Sequence, residues 1–550
     1  MQPMLLLGLP FLLFFPCITS AQNSVTVALN NSQIVNNVLP SGGIQHYFFD
    51  SNSQVQQPTV AIPFITTAAT PHASTSIASS ASVLPTASVA LHARRLLPRA
   101  GSIAAIYLTV TVCSQPQPPS SYEGFVPPLQ VFVSTTSTNS LPGPNVPETS
   151  PLNTTYSGFT SWNSTLSPTT QLWVGVSAPA LANGWTGNWT YQIGTSTIAP
   201  MHELLIPSSD DSIAYMTLDD SDNNNALFLT SSYQGSQAPN FTVLITTNPP
   251  QELAYSICAA QKFVQSHPVN YTMTARGPFN ATRQQAYVSG LSPATRYTAY
   301  LMQPRSNNLP AAYGPPISFS TKSELNCRLI YGLSFCDQVA YSVATNPNDP
   351  GADIWNLTQS YDQNAVQVFQ PFATALSQFN CDTTQYSLVR NCTDCYNDYK
   401  NWMCSVLIPR CTTPSPFNQE NDMNDGPSQA LHEVPFNQSR NPWIDSTYSP
   451  NQWTELLPCV DLCYRVVQSC PPFMQFNCPS GDIATSQYGY WQTGTASQNG
   501  TNVVFDINNP TCNRMGLNTS LLVLSGALPS LSIPSSFYAF TVLATICLFI

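Results

Sequence analysis

Residues 458–474 read PCVDLCYRVVQSCPPFM, and residues 404–411 read CSVLIPRC. Within these two runs three, six and six residues separate successive cysteines. The chain has 550 residues and 16 cysteines, and twelve of them fall in one stretch: Cys327, Cys336, Cys381, Cys392, Cys395, Cys404, Cys411, Cys459, Cys463, Cys470, Cys478 and Cys512. An even set of cysteines at close, irregular spacing in an exported chain reads as a disulfide framework. Zinc is the competing reading. Only Cys392-x2-Cys395 has knuckle spacing and no second pair or histidine answers it, so no metal ligands are assigned. Helical periodicity accompanies the cysteines. Val366, Phe369, Ala373, Leu376 and Phe379 recur at steps of three and four, which makes one apolar face, and residues 460–467 form a second short helix. The expectation for residues 323–516 is a mainly helical, disulfide-rich domain. Residues 412–458 interrupt it as a long polar insertion, with Glu420, Asp422, Asp425 and Glu433, that leaves a loop free for a partner.

Upstream the pattern changes to strands. Val25, Val27 and Leu29 alternate, residues 107–112 and 129–133 are β-branched and aromatic, and residues 172–176 and 189–193 close the region. Short strands at turn-rich intervals indicate a sandwich-like domain over 22–199. Residues 66–92 and 134–151, rich in Ser, Thr and Pro, read as flexible, O-glycosylated loops. The pair Arg94-Arg95 reads either as a processing site or as plain exposed charge. A second β unit spans 200–322. Its segment GLSPATRYTAYL (residues 290–301) resembles the last strands of a fibronectin type III sandwich, with Leu291, Pro293, Thr295 and Tyr297 at the positions of that family's strand corner. Asp219, Asp220 and Asp222 precede Asn223, Asn224 and Asn225. They invite a calcium reading, but the glycine and terminal glutamate of an EF-hand loop are missing, so a solvated turn is expected. The fold class is therefore multidomain, an N-terminal all-β sandwich-like half followed by the helical cysteine domain.

Charge is scarce. Charged residues are 8% of the chain, with 16 basic against 27 acidic, and only Lys262, Lys322 and Lys400 are lysines. The net charge of -11 and the absence of basic clusters exclude a nucleic-acid binder that works by counterion release. Sequons supply surface polarity instead, at Asn30, Asn153, Asn163, Asn188, Asn240, Asn270, Asn280, Asn356, Asn391, Asn437, Asn499 and Asn518. Residues 1–21 read as a secretory signal peptide. Residues 517–550 read as a C-terminal anchor signal, with Ser525 as the attachment residue of a glycosylphosphatidylinositol, a spacer, and an apolar run of residues 537–550. The alternative is a C-terminal transmembrane helix. Either reading puts the chain on the outer face of a membrane, reached through the secretory pathway by way of the endoplasmic reticulum. No internal run is long enough to span a bilayer, so any pore is expected to belong to a partner. No HExxH, GxSxG or P-loop occurs, six histidines leave little general-base material, and no enzyme activity or cofactor is assigned.

The cysteine spacing resembles the frizzled-type cysteine-rich domain, a small helical fold with five disulfides. That resemblance implies the pairs Cys327–Cys411, Cys336–Cys404, Cys463–Cys478 and Cys459–Cys512. The partner of Cys470 is Cys395 by spacing, or Cys381, because FQPFATALSQFNC (residues 369–381) resembles the helix before that family position. The two cysteines left over then pair, most simply Cys381 with Cys392. Signal peptide, glycosylated β-rich half, cysteine domain, apolar C-terminus and the segment CDQVAYSVATNP (residues 336–347) together resemble the fungal stretch-activated calcium-channel component, the mating-induced-death glycoprotein family. The cysteine-rich auxiliary subunit of the animal sodium-leak channel is similar in the cysteine domain. The resemblance implies an extracellular regulatory subunit of a pore-forming, multi-span, voltage-gated-like calcium channel, supporting calcium entry during stretch, stress or mating. Two other readings are a cell-surface receptor for a lipid or peptide, and an anchored cell-wall glycoprotein or enzyme.

Overall fold

Among the described residues the first unit has nine strands: β1 (Val27–Leu29), β2 (Gln33–Leu39), β3 (Ile44–Asp50), β4 (Ala105–Ser114), β5 (Gln130–Ser134), β6 (Ser150–Leu152), β7 (Phe159–Thr165), β8 (Gln171–Ser177) and β9 (Trp189–Ser196). The computed structural model describes residues 25–51, 105–147, 149–152, 158–165, 171–205, 216–232, 241–254, 256–276, 282–305, 309–349, 353–380, 389–413, 429–492, 494–498, 501–505 and 510–515. The signal peptide, residues 66–92, Arg94-Arg95, Cys381, Glu420, Asp422, Asp425, Ser525 and the sequons at Asn153, Asn240, Asn280, Asn499 and Asn518 lie outside them. The chain divides into two units, Met1–Met201 and His202–Ile550.

In the first unit one sheet runs β1-β3-β8-β5-β6 and the other β2-β9-β4-β7. Alternation along the strands sends Tyr47, Phe49, Val131, Leu172 and Val174 from the first sheet, and Leu108, Val110, Trp189, Tyr191 and Ile193 from the second, into one shared core. Two buried tyrosines need polar partners there, and they satisfy each other. The Tyr47 and Tyr191 hydroxyls lie 2.7 Å apart, and Asn37 Nδ2 donates to the Tyr47 hydroxyl at 2.8 Å. The Ser/Thr/Pro stretch after β5 departs from the flexible loop expected of it. Asn139 is buried and its Nδ2 donates to the Pro147 carbonyl at 2.9 Å and to Thr149 Oγ1 at 2.8 Å. The Pro142 carbonyl lies against β8 at Gly175, where a Cβ would stand 1.9 Å from that oxygen. Only glycine fits under this crossing.

The second unit begins with another pair of sheets. Its strands are β10 (Glu203–Leu204), β11 (Met216–Ser221), β12 (Ala226–Thr230), β13 (Thr242–Thr246), β14 (Val269–Thr274), β15 (Arg283–Val288), β16 (Arg296–Gln303), β17 (Ala312–Tyr313) and β18 (Ile317–Ser320), with a short helix α1 (Ile257–Lys262) between β13 and β14. One sheet is β11-β12-β15-β14. The other is β10-β17-β16-β13, with β18 on β16. Phe228, Ala286 and Val288 from the first meet Val243, Ile245, Ala299, Leu301 and Phe319 from the second. Tyr297 turns the corner into β16, and its hydroxyl accepts from the Ser292 N–H at 2.8 Å.

The cysteine-rich region follows in the same unit. It carries β19 (Cys327–Ile330), β20 (Tyr341–Ala344), α2 (Ile354–Leu376), α3 (Cys392–Leu407), β21 (Arg410–Thr412), β22 (Leu431–Val434), α4 (Pro442–Tyr448), β23 (Trp453–Leu456), α5 (Val460–Ser469), α6 (Asp482–Gln487), β24 (Gly494–Gln498) and β25 (Thr501–Phe505). It is mixed rather than mainly helical. A hairpin β19–β20, a three-stranded sheet β21-β23-β22 and a hairpin β24–β25 stand among the helices. The inserted stretch expected to be loop supplies β22, α4 and β23, because residues 431–434 pair with the buried residues 453–456 and Asn441 caps a helix with Pro442 at its first position. In α2 the buried stripe is Leu357, Tyr361, Ala365, Phe369, Phe372 and Leu376. Phe369 and Leu376 keep their expected places, Ala373 and Phe379 pack at the margin, and Val366 is 40% exposed.

Candidate functional site

Among the described residues, the junction between the second pair of sheets and the cysteine-rich region gathers several ion pairs in a chain that has little charge. Strand β11 is antiparallel to β12, and their register shifts between Leu218 and Asp220. This bulge brings Asp219, Asp220 and Asp222 close together where the two parts meet. The solvated turn expected for them does not exist: Asp220 is 7% exposed and Asp222 0%. A buried carboxylate is costly unless every lone pair is matched, and these are matched closely. Asp220 Oδ1 takes Lys322 Nζ at 2.7 Å, while Oδ2 takes Arg410 Nε at 3.2 Å and the Ser342 N–H of β20 at 2.8 Å. Asp222 Oδ2 accepts from the Leu329 N–H of β19 at 3.0 Å. Its Oδ1 accepts from the N–H groups of Asn224 at 2.8 Å and Asn225 at 2.7 Å. Asp219 pairs with Arg276, and its carbonyl accepts from Arg410 at 2.7 Å.

Burial pushes the Asp220 carboxyl up, but Arg410 and Lys322 outweigh it, with the Ser342 N–H, and hold it below its usual value. Burial pushes Lys322 down, against the pull of Asp220. The positive charge that a calcium reading would supply is already present as Lys322, Arg276 and Arg410. Among the described residues no group of His, Cys, Asp and Glu is placed to hold a metal ion. Two of the three carboxylates therefore bond the backbone of the β19–β20 hairpin, and that hairpin begins at Cys327. The sheets and the cysteine-rich region are joined through main-chain hydrogen bonds, not through a linker alone.

Five disulfides with both ends among the described residues then tie the cysteine-rich elements together. Cys327–Cys411 joins β19 to β21, and Cys336–Cys404 joins the hairpin loop to α3. Cys395–Cys470 joins α3 to the end of α5. Cys459–Cys512 and Cys463–Cys478 fasten α5 to the segments after it. Cys113, Cys258 and Cys392 are disulfide-bonded as well. Around the helices an aromatic layer fills the remaining space, with Phe372 stacked on Tyr399 at 3.6 Å and Phe369 against Tyr396 at 4.8 Å. Asp362 on α2 holds the hairpin loop. Its oxygens accept from the N–H groups of Ser334, Phe335 and Cys336, each at 2.9 Å, which sets Cys336 for its bridge.

Residues 105–516 match the family described as Mid1, stretch-activated Ca2+-permeable channel component. The chain belongs to the Mid1 family. The match takes in the strands from β4 onward, the buried junction and the five bridges just named. Among curated Mid1-type proteins the chain is similar to the stretch-activated cation channel yam8 of Schizosaccharomyces pombe, 38% identical over 230 residues, which cover 41% of this chain and 45% of that protein. It is 33% identical over 309 residues to the stretch-activated cation channel MID1 of Saccharomyces cerevisiae, covering 54% of this chain and 49% of that one. The Cryptococcus neoformans MID1 is 23% identical over 379 residues, covering 55% and 58%. The chain thus spans about half the length of the curated relatives it matches. Among solved structures, a marsupial T cell receptor chain aligns at 7% identity with a TM-score of 0.12, too low to carry an argument.

Seven of the twelve sequon asparagines fall on described residues, Asn30, Asn163, Asn188, Asn270, Asn356, Asn391 and Asn437, and all seven are exposed. The cations of the junction, Arg276, Lys322 and Arg410, and the loop-holding Asp362 were not singled out from sequence. Their one signal there is rarity. This Mid1 chain has only 16 basic residues, and three of them sit at this junction.

Proposed function

We propose that this chain is an extracellular, N-glycosylated auxiliary subunit of a calcium channel in the plasma membrane, working beside a separate pore-forming, multi-span subunit of the voltage-gated type. The observation that carries the reading is the bridged cysteine-rich region inside a Mid1-family match. Disulfides such as these five form and persist in an oxidising compartment, and the exposed asparagine of each described sequon supports the glycoprotein reading. The signal peptide of residues 1–21 delivers the chain, and the C-terminal segment, through Ser525 or as a membrane helix, tethers it to the outer face. The role is binding rather than catalysis. The frizzled-like cysteine spacing supports a module that grips another polypeptide, and the bridged helices supply a surface that keeps its shape when the membrane is pulled.

Deletion of the gene, followed by calcium-uptake measurement during stretch or pheromone stress, tests this reading. Uptake is expected to fall and to return with the intact chain, but not with Cys404→Ala, which opens the bridge to Cys336. Affinity purification in mild detergent is expected to recover a multi-span cation channel. Unchanged uptake in the deletion, or repeated recovery without any such channel, would overturn the proposal.

A further inference from the structure

Among the described residues five large aromatic side chains stand exposed: Tyr122, Phe125, Trp355, Phe436 and Phe473. Two of them, Trp355 and Phe436, directly precede the asparagine of a sequon. The coincidence extends to the whole chain. An aromatic residue precedes the sequon asparagine at Trp162-Asn163, Phe279-Asn280, Trp355-Asn356 and Phe436-Asn437, four sites of twelve, where an aromatic content of 11% would place about one.

The backbone at the last site is well defined. The Gln438 N–H donates to the Pro435 carbonyl at 3.1 Å and closes a turn over residues 435–438. Asn437 sits third in it with φ 56°, in the left-handed region that asparagine tolerates better than most residues. The sequon serine is fixed too. Ser439 Oγ donates to Asp445 Oδ1 at 2.5 Å and its N–H donates to Oδ2 at 2.9 Å. Phe436 is 59% exposed on this pinned turn, beside an exposed asparagine amide. On a helix, successive side chains diverge by about 100°, so Trp355 and Asn356 in the first turn of α2 are less favourably placed than the pair in the turn.

We propose that Asn437 carries an N-glycan whose first N-acetylglucosamine lies on the Phe436 ring, and that this contact holds the 435–438 turn at the end of β22. The chemistry suits both partners. The apolar C–H face of a pyranose is electropositive and an aromatic face is electronegative. The sugar covers a ring that the protein leaves wet. The inference rests on the glycoprotein reading above and narrows it to one site with a structural task.

The test uses the full chain, purified in detergent from a glycosylating yeast. Glycopeptide mass spectrometry reads occupancy, and thermal unfolding reads the contact. Asn437→Gly removes the acceptor and keeps the turn, because glycine adopts positive φ freely. Phe436→Ala removes the ring and keeps the sequon. Asn437 is expected to be occupied, and Asn437→Gly to lower Tm by about 2 °C when Phe436 is present but not in the Phe436→Ala background. Equal effects of Asn437→Gly in both backgrounds, or no loss of Tm, would overturn the contact. An unmodified Asn437 on a chain glycosylated elsewhere would overturn this inference and leave the glycoprotein reading standing. A chain with no sequon occupied would overturn both.

Discussion

Asp220 concentrates the electrostatics of the molecule in one side chain. It is buried and bonded to Lys322, Arg410 and the Ser342 N–H. Asp220→Asn keeps the shape and leaves two buried cations short of their counter-charge. Loss of one partner from a buried ion cluster costs about 3–5 kcal/mol, so the variant is expected to show a denaturant midpoint lower by that equivalent. The pH dependence has a definite sign. Asp220 has its folded pKa held below 3.8. Its contribution is therefore complete above that value and is lost as pH falls through the lower, folded one. His202 acts higher on the scale. Burial, helped by Arg305, pushes it from 6.5 down to about 4. Between those values the unfolded chain binds a proton that the folded chain refuses, so stability falls as pH drops from 6.5 towards 4, by on the order of 3 kcal/mol in all. Midpoints measured across this window should flatten in His202→Gln, and a profile of unchanged slope would contradict the assignment. None of this was legible beforehand. Three aspartates followed by three asparagines have the composition of a wet turn. What buries them is a hairpin more than 100 residues further along the chain.

At the scale of elements the reading from sequence went further, and it erred where two answers fit one period. Helix α2 was expected from apolar spacing, and it is there. The spacing alone did not decide between neighbours such as Ala365 and Val366, or Phe372 and Ala373, which lie about 100° apart on the wheel. The choice was made by α3, whose Tyr396 and Tyr399 pack on Phe369 and Phe372 of α2, and periodicity carries no trace of that. Phe372→Ala is expected to cost about 3–5 kcal/mol, because its ring stacks on Tyr399 at 3.6 Å. Val366→Ser should change stability by no more than about 0.5 kcal/mol. Urea titrations of the two variants compare them directly, and a large loss in the second would put the stripe back where the spacing first placed it. The sheet β21-β23-β22 was missed for a similar reason. Its strands are four residues or fewer and are separated by a polar stretch, so they resemble loop until they pair.

For the whole molecule, cysteine count and spacing announced a bridged region, and the structure shows the connections. Cys470 pairs with Cys395, the partner by spacing, and not with Cys381, the partner by the helix resemblance of residues 369–381. The bridges span very different lengths of sequence. Cys463–Cys478 closes 15 residues and Cys327–Cys411 closes 84. Because Cys336–Cys404 is nested inside the longer loop, Cys327–Cys411 closes a further ring of only about 16 residues, so in the chain-entropy account Cys463–Cys478 and Cys327–Cys411 each contribute about 3 kcal/mol. Replacing either pair by alanines should lower Tm by a similar amount, and a several-fold difference would count against that account. The Asp220 and Asp222 contacts carry a consequence for anyone who exchanges parts between relatives. A cut between 322 and 323 looks clean on paper, yet it severs Lys322 from Ser342 and strips Arg410 of its anion. Hybrids spliced there should misfold unless the donor brings its own aspartates and cations together, which makes the two regions heritable only as a set.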